Sequence, residues 1–313
     1  MLSSSQIVHG IHHITAIASD PTKTVDFYTN LLGLRLVKKS VNQDDVQAYH
    51  LFFGDRTGEP GMDLTFFTFP HVMQGLQGVG QVTKISLAVP EQSLDFWMER
   101  FEAHQIDHDP ITTQFGTQRI VFYDFDQQRL ELVGVAQAEY DLGIKDVWTT
   151  SEISKEHAIG YFYAATLNVS YSSLIEPILT KVLRYQQIEA YRYHIATSPR
   201  AKYLEIEEHP VDEGGINAAG TVHHIAFEVA DEKALLAARE RVLQTGLYPT
   251  EVINRYYFKS VYFRTKAGIL FELATSGPGF AADEDEKDFG KKLALPPFLE
   301  DRREEIEANL EPL

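Results

Sequence analysis

The sequence predicts an α+β fold made of four copies of one module, in which a strand and a helix are followed by further strands. Three observations lead to this prediction. Segments with strand-like and helix-like apolar spacing recur in the same order four times. The clearest helical segments begin at residues that cap helices. A pair of adjacent histidines opens the first strand of both the first and the last copy. We expect modules at about residues 10–70, 80–136, 158–210 and 220–275.

The first module begins with the apolar strand GIHHITAIAS. Asp20 can cap the following helix, with Pro21 at its first helical position and Gly33 able to end it. The segments LRLVKKSV, QAYHLFFGD and GMDLTFFTF then have the composition and alternation of strands.

The other three modules repeat this order. The second runs from QVTKISLAV through the helix PEQSLDFWMERFEAH to QRIVFYDF and RLELVGV. The third runs from GYFYAATLNV through SSLIEPILTKVLRY to AKYLEIEE. The fourth runs from TVHHIAFEV through DEKALLAARERVLQTG to KSVYFRT and GILFELATS. We therefore divide the chain into a first half (10–136), a linker (137–157), a second half (158–275) and an acidic, partly helical tail (276–313) that packs on the surface.

Composition limits the possible functions. The formal net charge is −17, which disfavours nucleic acid and anionic membranes as partners. The chain has no cysteine, so disulfides, thiolate metal sites and cysteine nucleophiles are excluded. It has no apolar run long enough to span a bilayer, and the start MLSSSQIVHG does not resemble a signal peptide. We expect a cytoplasmic protein whose metal ligands can only be His, Asp or Glu, and association into a homo-oligomer is compatible with the sequence.

The two histidine pairs are His12–His13 and His223–His224. The matching positions of the middle modules hold Thr83, Lys84, Tyr163 and Ala164. Because two of the four copies lack histidine there, the fold itself does not require the pairs, and we interpret them as functional. Neighbouring residues of a regular strand point to opposite faces, so one member of each pair is expected to bind. Strand parity leaves open which member it is.

A carboxylate completes the pattern. Glu272 lies in the middle of the apolar strand GILFELAT, where an unpaired carboxylate would be costly to bury. One histidine from the first module, one from the last and Glu272 would form the facial triad typical of non-haem Fe(II) oxygenases. Glu131 occupies a similar position in the second module, whereas Asp63 and the acids of KYLEIEE are predicted to face outward.

The arrangement resembles the vicinal oxygen chelate superfamily, also called the glyoxalase/bleomycin resistance/dioxygenase fold, and more narrowly its ring-cleaving hydroquinone dioxygenases. The resemblance covers nearly the whole chain. It rests on GIHHIT, YHLFFGD with the following GEPG, FGTQRIVFYD, VHHIAF, NRYYFKSVYFRTKAGILFELAT and GFAADED. It implies two half-open mixed β-barrels and a non-haem Fe(II) dioxygenase of the extradiol type, with Mn(II) as the alternative metal. The substrates would be a small hydroquinone-type aromatic molecule and O₂.

The resemblance also implies roles for particular residues. The metal ligands would be His13, His224 and Glu272. The residues that assist or handle substrate would be His12, Thr15, His223, Arg255 and Tyr262. The first module would face the fourth across the metal, while the second and third would form a metal-free barrel in which Glu131 is an unused remnant of duplication.

Two other functions remain open. A glyoxalase-like lyase or isomerase typically needs a second carboxylate ligand, for which Asp63 is the one candidate in the first module. A metal-free protein that binds a small molecule, as in drug resistance, shares the fold but would have no need of the His–His–Glu set. His50 and His194 recur at similar places in their modules, and we expect them to be mainly structural, with a place in the cleft wall left open.

Overall fold

The computed structural model describes residues 7–211 and 213–313. Two mixed sheets of eight strands each form its framework. Each sheet curls into a half-open barrel with helices on its outside, which confirms the predicted α+β fold of two half-open barrels. The exact domain boundaries stay a prediction.

Sheet 1 combines strands from near both ends of the chain. Its strands are β1 (Val8–Ala18), β2 (Arg35–Asn42), β3 (Asp45–Gly54), β4 (Asp63–Thr68), β13 (Thr221–Val229), β14 (Ile253–Asn254), β15 (Lys259–Arg264) and β16 (Leu270–Thr275). Their order across the sheet is β14-β15-β16-β13-β1-β4-β3-β2.

Sheet 2 is built from the middle of the chain. Its strands are β5 (Gln81–Pro90), β6 (Thr112–Gln114), β7 (Thr117–Tyr123), β8 (Arg129–Val135), β9 (Tyr161–Val169), β10 (Gln186–Glu189), β11 (Arg192–His194) and β12 (Tyr203–Glu208). Their order is β10-β11-β12-β9-β5-β8-β7-β6. In both sheets the two central strands are antiparallel, and each is flanked by a parallel strand of its own module.

The helices are short. The α-helices are α1 (Pro21–Val25), α2 (Leu94–Ala103), α3 (Gln137–Gly143), α4 (Glu232–Gln244) and α5 (Arg303–Asn309). The π-helices are Asp26–Leu31 and Ile178–Val182, and the 3₁₀ segments are Glu91–Ser93, Ser172–Leu174, Phe280–Ala282, Glu286–Asp288 and Pro297–Arg302. The longest described helix has 13 residues, and none of the described helices could cross a lipid bilayer.

The cap predicted for the first helix is present, because Asp20 accepts a hydrogen bond from the backbone N–H of Lys23 and Pro21 follows it. The third module differs from expectation. Its predicted continuous helix is a 3₁₀ turn followed, after Pro177, by one π-helical segment. A proline at that position removes a backbone donor and interrupts the α-helical pattern. The predicted linker (137–157) begins with α3.

The tail was expected to pack on the surface, and its first part also contributes buried side chains. Phe280 and Phe289 are buried, and the Lys38 side chain, which is fully buried, donates hydrogen bonds to Asp283 and Glu284. A buried ammonium group needs such partners. This part of the tail therefore supplies buried contacts to sheet 1 and does not only cover its surface.

The interior of sheet 2 holds a buried network of ion pairs. Glu131 lies 2.7 Å from the Lys84 ammonium and 3.1 Å from the Arg119 guanidinium. Arg119 also pairs with Glu205 at 2.9 Å, and all four side chains are at most 4% exposed. Glu131 is therefore not an unused remnant, and the expectation that the acids of KYLEIEE face outward is wrong for Glu205. Arg192 on β11 lies opposite Glu205. It is a second buried cation beside Glu205, which explains why this carboxylate faces the interior.

We predict that Glu131→Ala lowers the free energy of unfolding by about 3–5 kcal/mol, because it leaves the buried cations of Lys84 and Arg119 undercompensated. The matched control is Glu207→Ala, which removes a half-exposed ion pair with Arg129 and should cost at most about 1 kcal/mol. Urea unfolding followed by circular dichroism measures both. Equal losses for the two variants would contradict the structural role of the network.

Candidate metal centre

Three side chains from distant parts of the chain converge inside sheet 1. His13 Nε2 lies 3.2 Å from Glu272 Oε2, and His224 Nε2 lies 2.9 Å from the same oxygen. The two Nε2 atoms are 3.2 Å apart. All three residues are at most 4% exposed, and Glu272 Oε2 accepts no hydrogen bond of ordinary geometry from any residue that the structure describes. Buried acceptor atoms gathered in this way are costly unless a cation compensates them, so the group is a candidate metal centre.

Strand register explains the convergence. His13 on β1 lies opposite Ala226 on β13, and Ala226 lies beside Glu272 on β16. His224 precedes Ala226 by two residues and therefore shares its face of the sheet. Ala226 therefore lies between His13 and Glu272 across the sheet. Parity along a single strand left open which histidine of each pair faces the centre. The register between strands answers this, because it places the second histidine of each pair there.

The protonation states suit ligation of a cation. Burial lowers the pKa of His12 to about 3 and that of His223 to about 4, and it also lowers the pKa of His224. Burial alone would raise the pKa of Glu272, but His13 and His224 hold it well below its ordinary value. At neutral pH, His12, His223 and His224 are neutral and Glu272 is ionised, as metal ligands and their partners require.

The first histidine of each pair supports the second. The Nδ1 atoms of His12 and His13 lie 2.9 Å apart, and those of His223 and His224 lie 2.8 Å apart. His12 Nε2–H can donate to the carbonyl oxygen of Thr275 at 3.2 Å. Each such contact restrains the orientation of a ring, as outer partners of metal-bound histidines commonly do.

Thr15 also lies at the centre. Its hydroxyl is 3.1 Å from His224 Nε2 and 2.7 Å from the hydroxyl of Thr65. His50 Nε2 contacts Thr65 at 2.9 Å and lines the adjoining cavity, whereas His194 lies on β11 in sheet 2 and is not among the residues that line it.

A cavity adjoins the candidate centre and is bounded by His13, His223 and His224. Aromatic side chains supply much of its wall, namely Phe52, Phe67, Tyr257, Phe258 and Tyr262. Polar groups of the β2–β3 turn complete it, namely Asn42, Gln43 and Asp44. Such a combination of apolar walls and few polar groups is typical of sites for small organic molecules.

Tyr262 and Arg255 lie side by side in this wall. Tyr262 is directly opposite Glu272 on the neighbouring strand, and Arg255 Nε–H points to its hydroxyl at 3.3 Å. Burial, followed by the charge of Glu272, raises the pKa of the Tyr262 phenol, so it is protonated at neutral pH. The Arg255 guanidinium is not free, because Asp44 accepts two hydrogen bonds from it at 3.0 and 2.8 Å.

Asp63 was expected to face outward, and this was wrong. It is fully buried, and neither carboxylate oxygen has a hydrogen-bond partner among the described residues. It lies near His12 and His13 rather than within the His13–His224–Glu272 group. Parity in a six-residue strand that begins at a buried loop was too weak a signal to predict this.

Two further residues at the site were not predicted from the sequence. Ser260 donates a hydrogen bond to Glu272 Oε1, and it could have been found because it precedes Tyr262 by two residues and shares its face. Asp44 had no such signal, since its partner Arg255 is 211 residues away.

Comparison with known proteins agrees with this geometry. A sequence profile of the Glyoxalase/Bleomycin resistance protein/Dioxygenase superfamily matches residues 10–132 and 78–273. The protein named "Putative ring-cleaving dioxygenase MhqA" of Bacillus subtilis (strain 168) is 39% identical over 98% of this chain and 99% of its own length. The chlorohydroquinone/hydroquinone 1,2-dioxygenase of Sphingobium indicum is 31% identical over 98% of this chain and 97% of its own.

Solved structures share the fold. The crystal structure called a "putative dioxygenase" from Bacillus subtilis superposes with a TM-score of 0.92 at 36% identity, covering 99% of this chain and 98% of that one. Glyoxalase I from Zea mays superposes with a TM-score of 0.61 at 15% identity, covering 85% and 92% of the two chains. At that identity the maize enzyme supports the fold alone.

We predict that Glu272→Gln weakens the binding of a divalent metal ion at least about 100-fold, because the amide lacks the charge that balances the cation. His13→Ala and His224→Ala should have the same effect. Oxygen-free equilibrium dialysis with Fe(II) measures it, and His71→Ala, whose side chain is 93% exposed, is the control. The metal-free Glu272→Gln protein should unfold at no lower temperature than the parent. Stoichiometric iron in this variant would remove Glu272 from the ligand set.

Proposed function

The chain belongs to the glyoxalase/bleomycin resistance protein/dioxygenase superfamily, and we propose that it is an Fe(II)-dependent dioxygenase that cleaves the ring of a hydroquinone. One observation carries the proposal. Two imidazoles and one ionised carboxylate converge on a point beside an aromatic cavity. The names of relatives that align over nearly the whole chain support the reaction class.

The three residues fit a metal ion. Ligand atoms about 2.1 Å from an ion and at right angles to one another lie about 3 Å apart. The separations of 2.9, 3.2 and 3.2 Å within His13, His224 and Glu272 agree with that spacing. When bound there, Fe(II) would supply a Lewis acid for a phenol oxygen and an electron source for O₂, with Mn(II) as the alternative ion.

Ligation would set the tautomers of all four histidines. A ligand nitrogen must carry a lone pair, so His13 and His224 would each hold their proton on Nδ1 and donate it to the preceding histidine. His12 would then hold its own proton on Nε2, towards Thr275. His223, which lines the cavity, would be a neutral hydrogen-bond donor there through Nε2 rather than a base.

Tyr262 is the best candidate for proton transfer. Its phenol lines the cavity, lies opposite Glu272 and is protonated at neutral pH. Arg255 Nε–H beside the hydroxyl would stabilise negative charge on that oxygen if the proton moves to substrate. The Thr15 and Thr65 hydroxyls are hydrogen-bonded to each other, and this contact keeps the two side chains in place beside the candidate centre.

The cavity must orient a hydroquinone closely. The two hydroxyls of a para-diol lie on opposite sides of the ring, so only one can reach a metal ion, whereas a catechol can use both. The substrate ring therefore depends on the walls of the cavity for its alignment. Phe52, Phe67 and Phe258 offer faces and edges for aromatic contacts. Both atoms of O₂ would enter the ring-opened product.

The main alternative, a glyoxalase-like lyase, fits less well. Its second carboxylate ligand would be expected in the first module at the position that matches Glu272. Thr15 pairs with Thr65 as Ala226 pairs with Glu272, so that position is Thr65. Asp63 is grouped with His12 and His13 instead. A metal-free binding protein would in turn gain nothing from burying Glu272 between two imidazoles.

We predict that the Fe(II)-loaded protein consumes O₂ with hydroquinones and forms ring-opened products. An oxygen electrode and mass spectrometry measure this, with a catechol and the methylglyoxal–glutathione adduct tested side by side. Conversion of the adduct without O₂ uptake would move the protein to the lyase class.

We also predict that Tyr262→Phe keeps its iron but turns over roughly 10²–10⁴-fold more slowly, which is the range that acid–base groups supply. Tyr248→Phe, at a side chain that is 93% exposed, is the matched control. Iron content and hydroquinone-dependent O₂ uptake are measured on both. A rate equal to that of the parent would remove Tyr262 from the reaction.

A further inference from the structure

The entrance of the candidate site carries one ion pair. Of the described residues that line the cavity, Arg255 alone has a guanidinium or ammonium group, and Asp44 alone has an Asp or Glu carboxylate. The two form a bidentate pair, with Nη1 and Nη2 donating to Oδ1 and Oδ2 at 3.0 and 2.8 Å. This is the geometry in which a guanidinium binds a carboxylate most strongly.

The pair connects two separate pieces of the wall. Asp44 lies in the turn between β2 and β3, and Gln43 in the same turn donates a hydrogen bond to the carbonyl oxygen of Arg255 at 2.9 Å. The Arg255 backbone N–H donates to the carbonyl oxygen of Phe258. Arg255 is thus held from both sides, and its side chain is 17% exposed while that of Asp44 is 71% exposed.

The consequence concerns the charge of the substrate. A cation beside the Tyr262 hydroxyl would by itself attract a carboxylate-bearing ring. Asp44 already occupies the two outer nitrogens of Arg255 and places a negative charge at the entrance. An anionic substituent would have to displace Asp44 or lie close to it, and either costs binding energy.

We propose that Asp44 is a specificity-determining residue that favours uncharged hydroquinones over hydroquinones with a ring carboxylate, an inference that rests on the proposed function. It acts by neutralising Arg255 and by repelling anions at the entrance. Among the described residues its carboxylate is hydrogen-bonded to Arg255 and not to His13, His224 or Glu272, so its effect is expected on the choice of substrate.

The test compares two ligands that differ by one carboxylate, hydroquinone and 2,5-dihydroxybenzoate. Dissociation constants are measured by calorimetry on the Fe(II)-loaded protein without oxygen, so that no turnover occurs. Asp44→Asn should bind 2,5-dihydroxybenzoate about five- to tenfold more tightly than the parent, while its affinity for hydroquinone changes less than twofold.

Two further variants serve as controls. Asp45→Asn removes the same charge from the next residue, whose carboxylate accepts from the backbone of Gln47 and not from Arg255, and it should leave both constants unchanged. Asp44→Glu retains the charge and should retain the discrimination. An equal change for both ligands in Asp44→Asn, or the same gain in Asp45→Asn, would overturn the proposal.

The outcome can be separated from that of the proposed function. If Asp44→Asn binds 2,5-dihydroxybenzoate no more tightly than the parent does, while both proteins consume O₂ with hydroquinone, the role of Asp44 is wrong while the dioxygenase stands. If hydroquinone binds selectively but supports no O₂ uptake, the dioxygenase is wrong while the selection stands. If neither ligand binds, both are wrong.

Discussion

The antiparallel pairing of β1 with β13 is the interaction on which the candidate centre depends. It joins two strands that lie near opposite ends of the chain, and its register puts His13 opposite Ala226 and Thr15 opposite His224. A slip of one residue would turn the second histidine of one pair away from the interior and bring the first one in. The pairing is irregular between Ile11 and His13, where His12 lies, and the ring of His12 contacts that of His13.

A second constraint is common to both barrels. Ser86 pairs with Glu131 in sheet 2 as Ala226 pairs with Glu272 in sheet 1, so both sheets bury a glutamate at the same position. Lys84 and Arg119 balance the charge of Glu131 from within the chain. Glu272 meets two imidazoles and a serine hydroxyl instead, none of which is a permanent cation. The two barrels therefore differ in the groups that balance one buried carboxylate.

The fold could be predicted from the sequence because its module is repeated, and candidate site residues could be named because they differ between the copies. Recurrent strand and helix patterns predicted the four modules, and the histidine pairs stood out because two copies lack them. Interactions that depend on the register between distant segments could not be predicted from the sequence. Asp44 meets Arg255, and Lys38 meets Asp283, only because strands and tail pack in a particular way. Asp63 and Glu205 were misjudged for a related reason, since alternation along one strand does not reveal which face a curled sheet encloses.

The nested order of the two sheets has a consequence for how the chain is made. Sheet 2 uses only a continuous middle stretch, so all its strands are available once that stretch has left the ribosome. Sheet 1 cannot form completely until the fourth module has been synthesised. His224, which contacts His13, lies 211 residues later in the chain. At 5–20 residues per second that interval is roughly 10–40 s, during which β1 is an apolar strand with an unpaired edge. Vectorial synthesis thus leaves the N-terminal module as the part of the nascent protein most in need of protection from aggregation.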